Sequence, residues 1–546
     1  MLTRAEHRAA RAGGIAALAV IGLALALPII VLVSYGLSSD AGASQGSYLY
    51  RITRFTLLQA GLSTLLSVVF AVPLARALAR RPGFPGRRWL IILFTLPLGL
   101  PPLVAALGLI EIWGRNGVAN TALGYLGAQT PFSIYGLGGI LLAHVFFNLP
   151  LATRLILPGL ERLPREYWKT AANLGMGGFS LFRLVEWPAM RGSIAGAAGL
   201  VFMLCATSFT LVLVLGGGPR ATTLEVAIYQ ALRFDFDPGR AVLLSTIQIG
   251  LTLTIMAGLK LVSTPADPGN TKGGGADRPD VRGGAHAIAD AALILLAVIF
   301  VAAPMLAVIG AGLVADLPRL LSDAIFWRAT ATSLGIGIAS AVLALSLSSL
   351  MVRARHSART PTATPAPRRL SGLRLLSAMW GAAGSLTLLV PPVVLGAGWF
   401  LMLGGGAGQL LAPLTVIVTI NALMALPFVM RVIEPAYNTA MARNSQLALS
   451  LGITGINRIR QIDLKAMLLP LATGFAFALA LSLGDLGAIA LFGSDRIITL
   501  PWLLYQKLGS YRTTDAAGLA LLLGIATMVF IFIADRLGNR GGTQQP

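Results

Sequence analysis

Charged residues are scarce in this sequence: Asp, Glu, Lys and Arg make up 12% of its 546 residues. Soluble proteins carry about 25% charged residues, so the composition excludes a soluble enzyme, a coiled coil and a disordered scaffold. The chain has one cysteine, Cys205, which lies in an apolar run. Disulfides and a cysteine-based metal site are therefore excluded as well.

Motifs for nucleotide binding and for metal-dependent catalysis are also missing. The sequence has no G-x-x-x-x-G-K-[ST] motif and not even a Gly-Lys dipeptide, so it cannot hold ATP in the manner of a P-loop. It has no H-E-x-x-H, and its four histidines are far apart in sequence. No residue set suits an intramembrane enzyme, no cofactor or metal is predicted, and any energy source must be a separate subunit.

Apolar residues dominate what is present, at 56% of the chain with a mean hydropathy of +0.78. They form stretches long enough to cross the hydrocarbon core of a membrane as helices. The sequence predicts an all-α polytopic membrane protein with about twelve spans. Their predicted ranges are 14–36, 56–79, 89–112, 134–158, 194–215, 242–262, 286–314, 329–352, 379–403, 411–433, 466–492 and 516–534.

Basic residues are distributed unevenly between the loops on the two sides of these spans. If the N-terminus is cytoplasmic, 31 of the 42 Lys and Arg residues lie on the cytoplasmic side. Cytoplasmic loops of membrane proteins carry such an excess. The net charge of +21 thus reflects topology: both termini are predicted to be cytoplasmic, and no nucleic-acid partner is expected.

The two halves of the chain repeat each other. Leu149-Pro150, Arg154, Ile156 and Pro158 recur at the same spacing as Leu426-Pro427, Arg431, Ile433 and Pro435, and Gly175 recurs in the same register as Gly452. Pro101-Pro102 and Gly108 similarly match Pro391-Pro392 and Gly398. The sequence therefore predicts two parallel six-helix halves, 1–262 and 285–546, joined by a flexible cytoplasmic linker at 263–284.

The longest predicted cytoplasmic loop of each half, 159–193 and 436–465, carries a short helix of small and apolar residues that ends at a glycine. Such a helix is suited to docking in a groove of a partner protein. The alternative is an interfacial helix that lies on lipid headgroups. The glycine at the same place in both halves favours docking.

At these loops the chain resembles the membrane-spanning permeases of binding-protein-dependent ABC importers. Their signature reads E-A-A, three residues, G, nine residues, I-x-L-P. Gly175, Val185 and Pro188 fit it in the first loop, as do Gly452, Ile462 and Leu464 in the second. Lys169 and Gln446 stand where glutamate is expected, and Lys465 replaces the proline. The residues assigned to ATPase coupling are Ala171, Ala172, Gly175, Pro188, Ala448, Gly452 and Leu464.

A narrower resemblance is to the permeases of bacterial thiamine and thiamine pyrophosphate importers. Stretches such as LLAHVFFNLPLATRLILPGLE, FMLCATSFT and LGGGPRATTLEVAIYQAL carry it. It implies alternating access in the bacterial inner membrane, with two copies of a cytoplasmic ABC ATPase, a periplasmic substrate-binding protein and membrane lipid as partners. The fused permeases of iron(III) importers remain an alternative. A proton-coupled secondary transporter is a weaker one, because it would need several acidic or basic residues within the membrane.

Two acidic residues in predicted spans are candidates for the substrate pathway, since ionisable groups are costly in lipid. Asp485 lies in Leu-Gly-Asp-Leu-Gly of the eleventh span, and Glu111 lies near the outer end of the third. A hydrogen-bonded structural role is the alternative for Asp485, and a place at the membrane interface is the alternative for Glu111. The resemblance makes Arg220 and Arg496, in the external loops, candidates for binding-protein contact or an outer gate.

Overall fold

The structure, a computed structural model, describes residues 3–38, 46–127, 132–262, 284–359, 367–387, 390–404, 411–510 and 512–542. These residues are helical and contain no strand, which confirms the predicted all-α class. The predicted linker, apart from Gly284, lies outside them. In chain order the helices are α1 (Arg4–Ser38), α2 (Gly46–Arg80), α3 (Arg87–Leu93), α4 (Leu96–Gly99), α5 (Pro102–Trp113), α6 (Val118–Tyr125), α7 (Leu137–Glu161), α8 (Arg165–Asn173), α9 (Gly178–Leu181), α10 (Trp187–Ala206), α11 (Thr210–Leu215), α12 (Leu224–Arg233), α13 (Pro238–Val262), α14 (Gly284–Val314), α15 (Leu317–Ser322), α16 (Ala324–Arg359), α17 (Pro367–Leu386), α18 (Pro392–Met402), α19 (Leu411–Ser450), α20 (Gly455–Arg458), α21 (Leu464–Gly484), α22 (Gly487–Phe492), α23 (Leu500–Gly509) and α24 (Thr513–Gly542).

Within the described residues, ten helices are long and apolar enough to cross a membrane. The predicted third span, 89–112, is instead a broken pair that bends by 110° between Gly99 and Pro102. The predicted ninth span, 379–403, is divided between α17 and the short apolar helix α18. A Pro-Pro pair lies at each break. Proline supplies no backbone N–H and disfavours helical geometry at the residue before it, so neither span is one straight helix.

The described residues pack into two compact units whose membership crosses the two repeated halves. The first-half unit contains residues 45–227 and 250–315, and the second-half unit contains 1–44, 228–249 and 316–546. In the first-half unit, α14 packs along α5 and α2. In the second-half unit, α1 packs along α16 and α18. Each half therefore supplies its first helix to the unit built around the other half.

Small residues form the buried stripe of α2. Ala60, Ser63, Ser67, Ala71 and Ala75 recur at three- and four-residue spacing, and each is fully buried. Small side chains let helices approach closely in a membrane, where packing rather than water exclusion holds them together. Along this stripe α2 packs with α7 and α10, and the repeat places α16, α19 and α21 in the same arrangement in the second-half unit.

A close helix contact, repeated in both units, holds the exchanged first helices in place. A side-chain carbon added at Gly108 would lie 2.3 Å from the carbonyl oxygen of Pro304 on α14. One added at Gly398 would lie 2.4 Å from the carbonyl oxygen of Pro28 on α1. Gly108 and Gly398 are partners in the sequence repeat, and Pro28 and Pro304 stand at equivalent places in the first helix of each half. Only glycine allows this approach.

We expect Gly108→Ala and Gly398→Ala to destabilise the protein by about 1–3 kcal/mol, the usual effect of forcing an extra carbon into a packed contact. The measurement is thermal unfolding in detergent. Gly196→Ala and Gly335→Ala are matched controls, because both glycines are helical and no atom of the described chain lies within 4 Å of the added carbon. The controls should be neutral or stabilising, since alanine favours a helix. Equal melting temperatures for all four variants would contradict this prediction.

Candidate functional site

The first predicted coupling loop is folded around a small core of its own. Trp168, Ala171 and Leu181 are buried together, with Leu163 and Met176 packed against them. The helix α8 follows Pro164, and α9 continues into α10 as one helix from Gly178 to Ala206. The loop therefore holds its shape and leads directly into a membrane span.

The glycine turn after the loop helix has the same geometry in both halves. Gly175 has φ +61° and Gly452 has φ +66°, a conformation that suits glycine. The Met176 N–H donates to the Ala171 carbonyl at 3.0 Å, and the Ile453 N–H donates to the Ala448 carbonyl at 3.0 Å. This bond from the residue after the glycine back to the last turn of the helix is typical of a Schellman motif. Both predicted glycines thus end a loop helix.

The two loops differ at their entry. In the first-half unit, α7 ends at Glu161 and α8 begins anew after Pro164. In the second-half unit, α19 runs unbroken from Leu411 to Ser450, and Met441 stands at the position equivalent to Pro164. The second loop helix is therefore a rigid continuation of its span.

The assigned coupling residues fall into two groups. Ala171 and Ala448 are buried, at 2% and 1% exposure, and support the loop from inside. Ala172, Pro188 and Leu464 are exposed, as are both turn glycines. Large apolar side chains lie exposed on the same loops: Tyr167, Leu174, Phe179 and Leu184 in the first, and Leu447 and Leu451 in the second. An apolar surface of this kind is a candidate protein interface.

Asp485 occupies a break between two helices, as its flanking glycines suggest. The helix α21 ends at Gly484, Asp485 is extended with ψ 129°, and α22 starts at Gly487. The carboxylate accepts hydrogen bonds from the backbone N–H groups of Gly487 and Ala488, each at 3.2 Å. Asp485 therefore caps the short helix α22.

A small polar cavity adjoins this carboxylate within the second-half unit. Asn421 donates to Ser482 at 2.8 Å, and the buried Asn421 side-chain oxygen has no hydrogen-bond partner among the described residues. Ser333 accepts the Leu500 N–H at 2.8 Å. The cavity is lined by Ser333, Ile336, Ile417, Asn421, Ser482, Asp485, Ile489, Thr499 and Pro501. Its volume is about 10 Å³, the space of one water molecule, so in this conformation it is closed to larger ligands.

The remaining candidates lie apart from this cavity. Glu111 is partly buried in the last turn of α5, in the first-half unit. Arg220 is exposed on a short 3₁₀ turn, Pro219–Ala221, and Arg496 is exposed in the loop after α22. The described residues contain no group of three His, Cys, Asp or Glu side chains that could hold a metal ion.

The structure buries two acidic residues, Glu186 and Glu225, that the sequence does not single out. Glu186 and Glu225 have no exposed surface, whereas Asp485 is only partly buried. A signal for one of them was present in the sequence, because Glu186 recurs as Asp463 in the register that pairs Gly175 with Gly452. Glu225 was missed because its segment reads as an external loop, whereas the structure folds it into the buried helix α12.

The fold and the paired loops define a multi-pass membrane transport protein built from two related halves. The chain belongs to the family of binding-protein-dependent transport system inner membrane components, whose model matches residues 67–263 and again residues 374–540. The two matches agree with the repeat, since each covers most of one half. Membership in this family excludes the secondary-transporter alternative.

Thiamine permeases of other bacteria are similar to this chain over nearly its whole length. The chain is 48% identical over 511 residues to the thiamine transport system permease protein ThiP of Brucella abortus (strain 2308), spanning 94% of this chain and 92% of the relative. It is 42% identical over 497 residues to ThiP of Escherichia coli (strain K12), spanning 91% and 90%. The probable sulfate transport system permease protein cysT of Helicosporidium is 27% identical over 249 residues, 44% of this chain and 89% of its own length.

Proposed function

We propose that this chain is the membrane-spanning permease of an ATP-driven importer that moves thiamine or thiamine pyrophosphate into the cytoplasm. The observation that carries the proposal is the similarity to thiamine permeases along the full length of both halves. The full-length relatives named above are thiamine permeases, and none of them supports the iron(III) alternative. Alternating access of the two halves, 1–262 and 285–546, would carry the substrate across the membrane.

The proposed partners are two copies of a cytoplasmic ABC ATPase and a periplasmic substrate-binding protein. Each coupling loop would dock in one ATPase subunit through its exposed apolar side chains, and the glycine turns at Gly175 and Gly452 would set the angle of the docking helix. Arg220 and Arg496 would contact the binding protein or form an outer gate. This arrangement requires both termini to be cytoplasmic, as the distribution of basic residues predicts.

Asp485 is the proposed pathway residue for the positively charged thiazolium ring of thiamine. The support is a carboxylate beside a polar cavity that also presents the Asn421 side-chain oxygen, which no described residue satisfies. Because the cavity has room for only one water molecule, thiamine can reach Asp485 only in a more open conformation. Glu111 is a second proposed pathway residue, in the first-half unit.

We expect thiamine uptake by liposomes containing the purified chain to require the ATPase, the binding protein and ATP together. The chain alone should neither hydrolyse ATP nor accumulate thiamine, because no phosphate-binding loop is encoded in it. The measurement is uptake of radiolabelled thiamine with each component omitted in turn, and unlabelled thiamine pyrophosphate as competitor. ATP hydrolysis by a preparation proven free of other subunits would refute the proposal.

A further inference from the structure

The helix that leads from each coupling loop into the membrane contains a short π-helical segment. These segments, Phe182–Glu186 and Ile459–Asp463, have five residues each and occupy equivalent positions of the sequence repeat. Fewer than about 1% of residues in proteins are π-helical, and π-segments occur frequently at functional sites. Their recurrence at equivalent positions marks them as a built feature of each half.

In the first-half unit, one arginine of α2 holds both ends of this segment. The Arg76 guanidinium donates from Nε to Glu186 Oε2 at 2.7 Å, and its Nη2 lies 2.6 Å from the same oxygen. It also lies over the ring of Phe182, 4.5 Å from the ring centre. Phe182 is the first and Glu186 the last residue of the π-helical segment. The Glu186 side chain is completely buried and the Arg76 side chain is 20% exposed, so water screens this pair much less than it screens a surface pair.

The second-half unit has a related cluster at the equivalent place. Asp463 ends the segment, and Arg458 Nε lies 3.6 Å from its Oδ1, with both side chains buried. Arg458 also donates to the sulfur of Met441, on α19, at 3.2 Å. A buried acid at the end of the π-helical segment is thus paired with an arginine in both halves, with Arg76 of α2 in the first and with Arg458 of α20 in the second.

In the first-half unit this placement ties the coupling loop to a second membrane helix, α2, and in the second-half unit it joins the end of the π-helical segment to Met441 of α19. In the first-half unit, α9, the π-helical segment and α10 form one continuous helix, so a movement of the loop is passed to α10. The Arg76 contact makes α2 follow the same movement, because a buried carboxylate separated from its arginine is strongly disfavoured. A π-helical segment can also shift by one residue and rotate the helix that follows it.

We propose that the Arg76–Glu186 pair, and the cluster of Asp463 with Arg458 and Met441, position the coupling loops so that ATPase movement is delivered to α2 with α10 and to α19 with α21. The proposal rests on the proposed import function. In it Glu186 and Asp463 are positioning residues, which act through the helices and contact neither ATP nor substrate. Breaking the pairs separates ATP hydrolysis from transport.

The test uses Glu186→Gln and Asp463→Asn, singly and together, in liposomes with the ATPase and the binding protein. We expect ATP hydrolysis to continue while the thiamine transported per ATP falls at least about fivefold, within the range of coupling between sites in proteins. Glu186→Asp, which retains the charge, should recover part of the lost ratio of thiamine transported to ATP hydrolysed. If the role of the pair were merely structural, ATP hydrolysis and thiamine uptake would fall in proportion, and this transport-to-hydrolysis ratio would not change.

Asp290→Asn is the matched control. Arg80 of α2 donates to Asp290 of α14 at 3.0 Å, in a largely buried pair that involves neither a π-helical segment nor a coupling loop. This variant should keep the wild-type ratio. Phe182→Leu removes only the ring beneath Arg76, so it tests the proposal even if Glu186→Gln fails to fold, and it should lower the ratio less.

The outcomes separate the two proposals. If the wild-type complex transports no thiamine, the proposed function fails. If the wild type transports thiamine but the variants keep its transport-to-hydrolysis ratio, the function stands and the positioning role is overturned. An equal loss of the transport-to-hydrolysis ratio in Asp290→Asn would overturn it too, because the effect would then be general to ion pairs.

Discussion

Replacing Gly175 by valine is expected to reduce thiamine uptake to less than about a tenth of the wild-type level. A tenfold lower rate corresponds to an increase of about 1.36 kcal/mol in the activation free energy. Gly175 has φ +61°, and the left-handed conformation costs an L-residue roughly 1–2 kcal/mol, more for a β-branched one. No atom of the described chain lies within 4 Å of the added carbon. The effect therefore comes from backbone strain, which the turn relieves by moving the loop helix.

Gly177→Val is the matched control for this turn. Gly177 is two residues away, has open space around it and has φ −75°, which valine adopts without strain. Gly452→Val, at φ +66°, should also impair uptake, but less, because the first loop keeps more of the family signature. The measurement is uptake normalised to inserted protein. Full uptake by both Gly175→Val and Gly452→Val, the two variants at positive φ, would refute the coupling role of the loops.

Asp485→Asn is expected to lower thiamine uptake by about an order of magnitude. At about 4 Å and an effective dielectric of 20, a carboxylate attracts a cation by about 4 kcal/mol, and a tenth of the rate corresponds to 1.36 kcal/mol. Asparagine has one side-chain acceptor, so it can keep the hydrogen bond from Gly487 or from Ala488 but not both, and thermal unfolding of the variant measures how much the weakened cap on α22 contributes. Asp485→Leu removes both the hydrogen bonds at the start of α22 and the negative charge. We therefore expect this variant to have a lower melting temperature as well as lower thiamine uptake.

Asp316→Asn is the matched control for the loss of a capping charge. Asp316 accepts the Arg319 N–H at 3.1 Å at the start of α15 and is assigned to no pathway. The Asp316→Asn variant should transport thiamine as the wild type does, and its melting temperature should be unchanged. If Asp485→Asn also transports normally, Asp485 is a helix cap and not part of the pathway.

The predicted membrane spans show which parts of the fold can be read from sequence. Apolar runs of sufficient length identified the ten spans of the described residues, because a helix in lipid must satisfy its backbone groups internally. Their ends were less predictable. The first span was placed at 14–36, but α1 begins at Arg4, since a helix can continue beyond the hydrocarbon layer. Pro101-Pro102 and Pro391-Pro392, which mark the repeat, also indicate the breaks in the third and ninth predicted spans, because proline disfavours helical geometry at the residue before it.

Contacts between distant segments were beyond sequence reasoning. The repeat identified Gly108 and Gly398 as equivalent, but hydropathy cannot show that each faces a proline carbonyl of a first helix. The glycine turns at Gly175 and Gly452 were expected from helix-ending chemistry, which is local, and the structure has both at positive φ. Glu186 was overlooked because its arginine is 110 residues away in sequence, and no local pattern connects them.

The exchange of first helices has a consequence for biosynthesis. The helix α1 ends at Ser38, but its packing partner α16 begins only at Ala324, in the second half of the chain, so α1 leaves the ribosome long before α16. At about 5–20 residues per second, α1 must wait in the bilayer for roughly 15 to 60 s before that partner exists. If the gene were cut within the linker, each fragment would lack one helix of its compact unit and carry one that belongs to the other. The two fragments could then mature only as a pair, made in the same membrane at the same time.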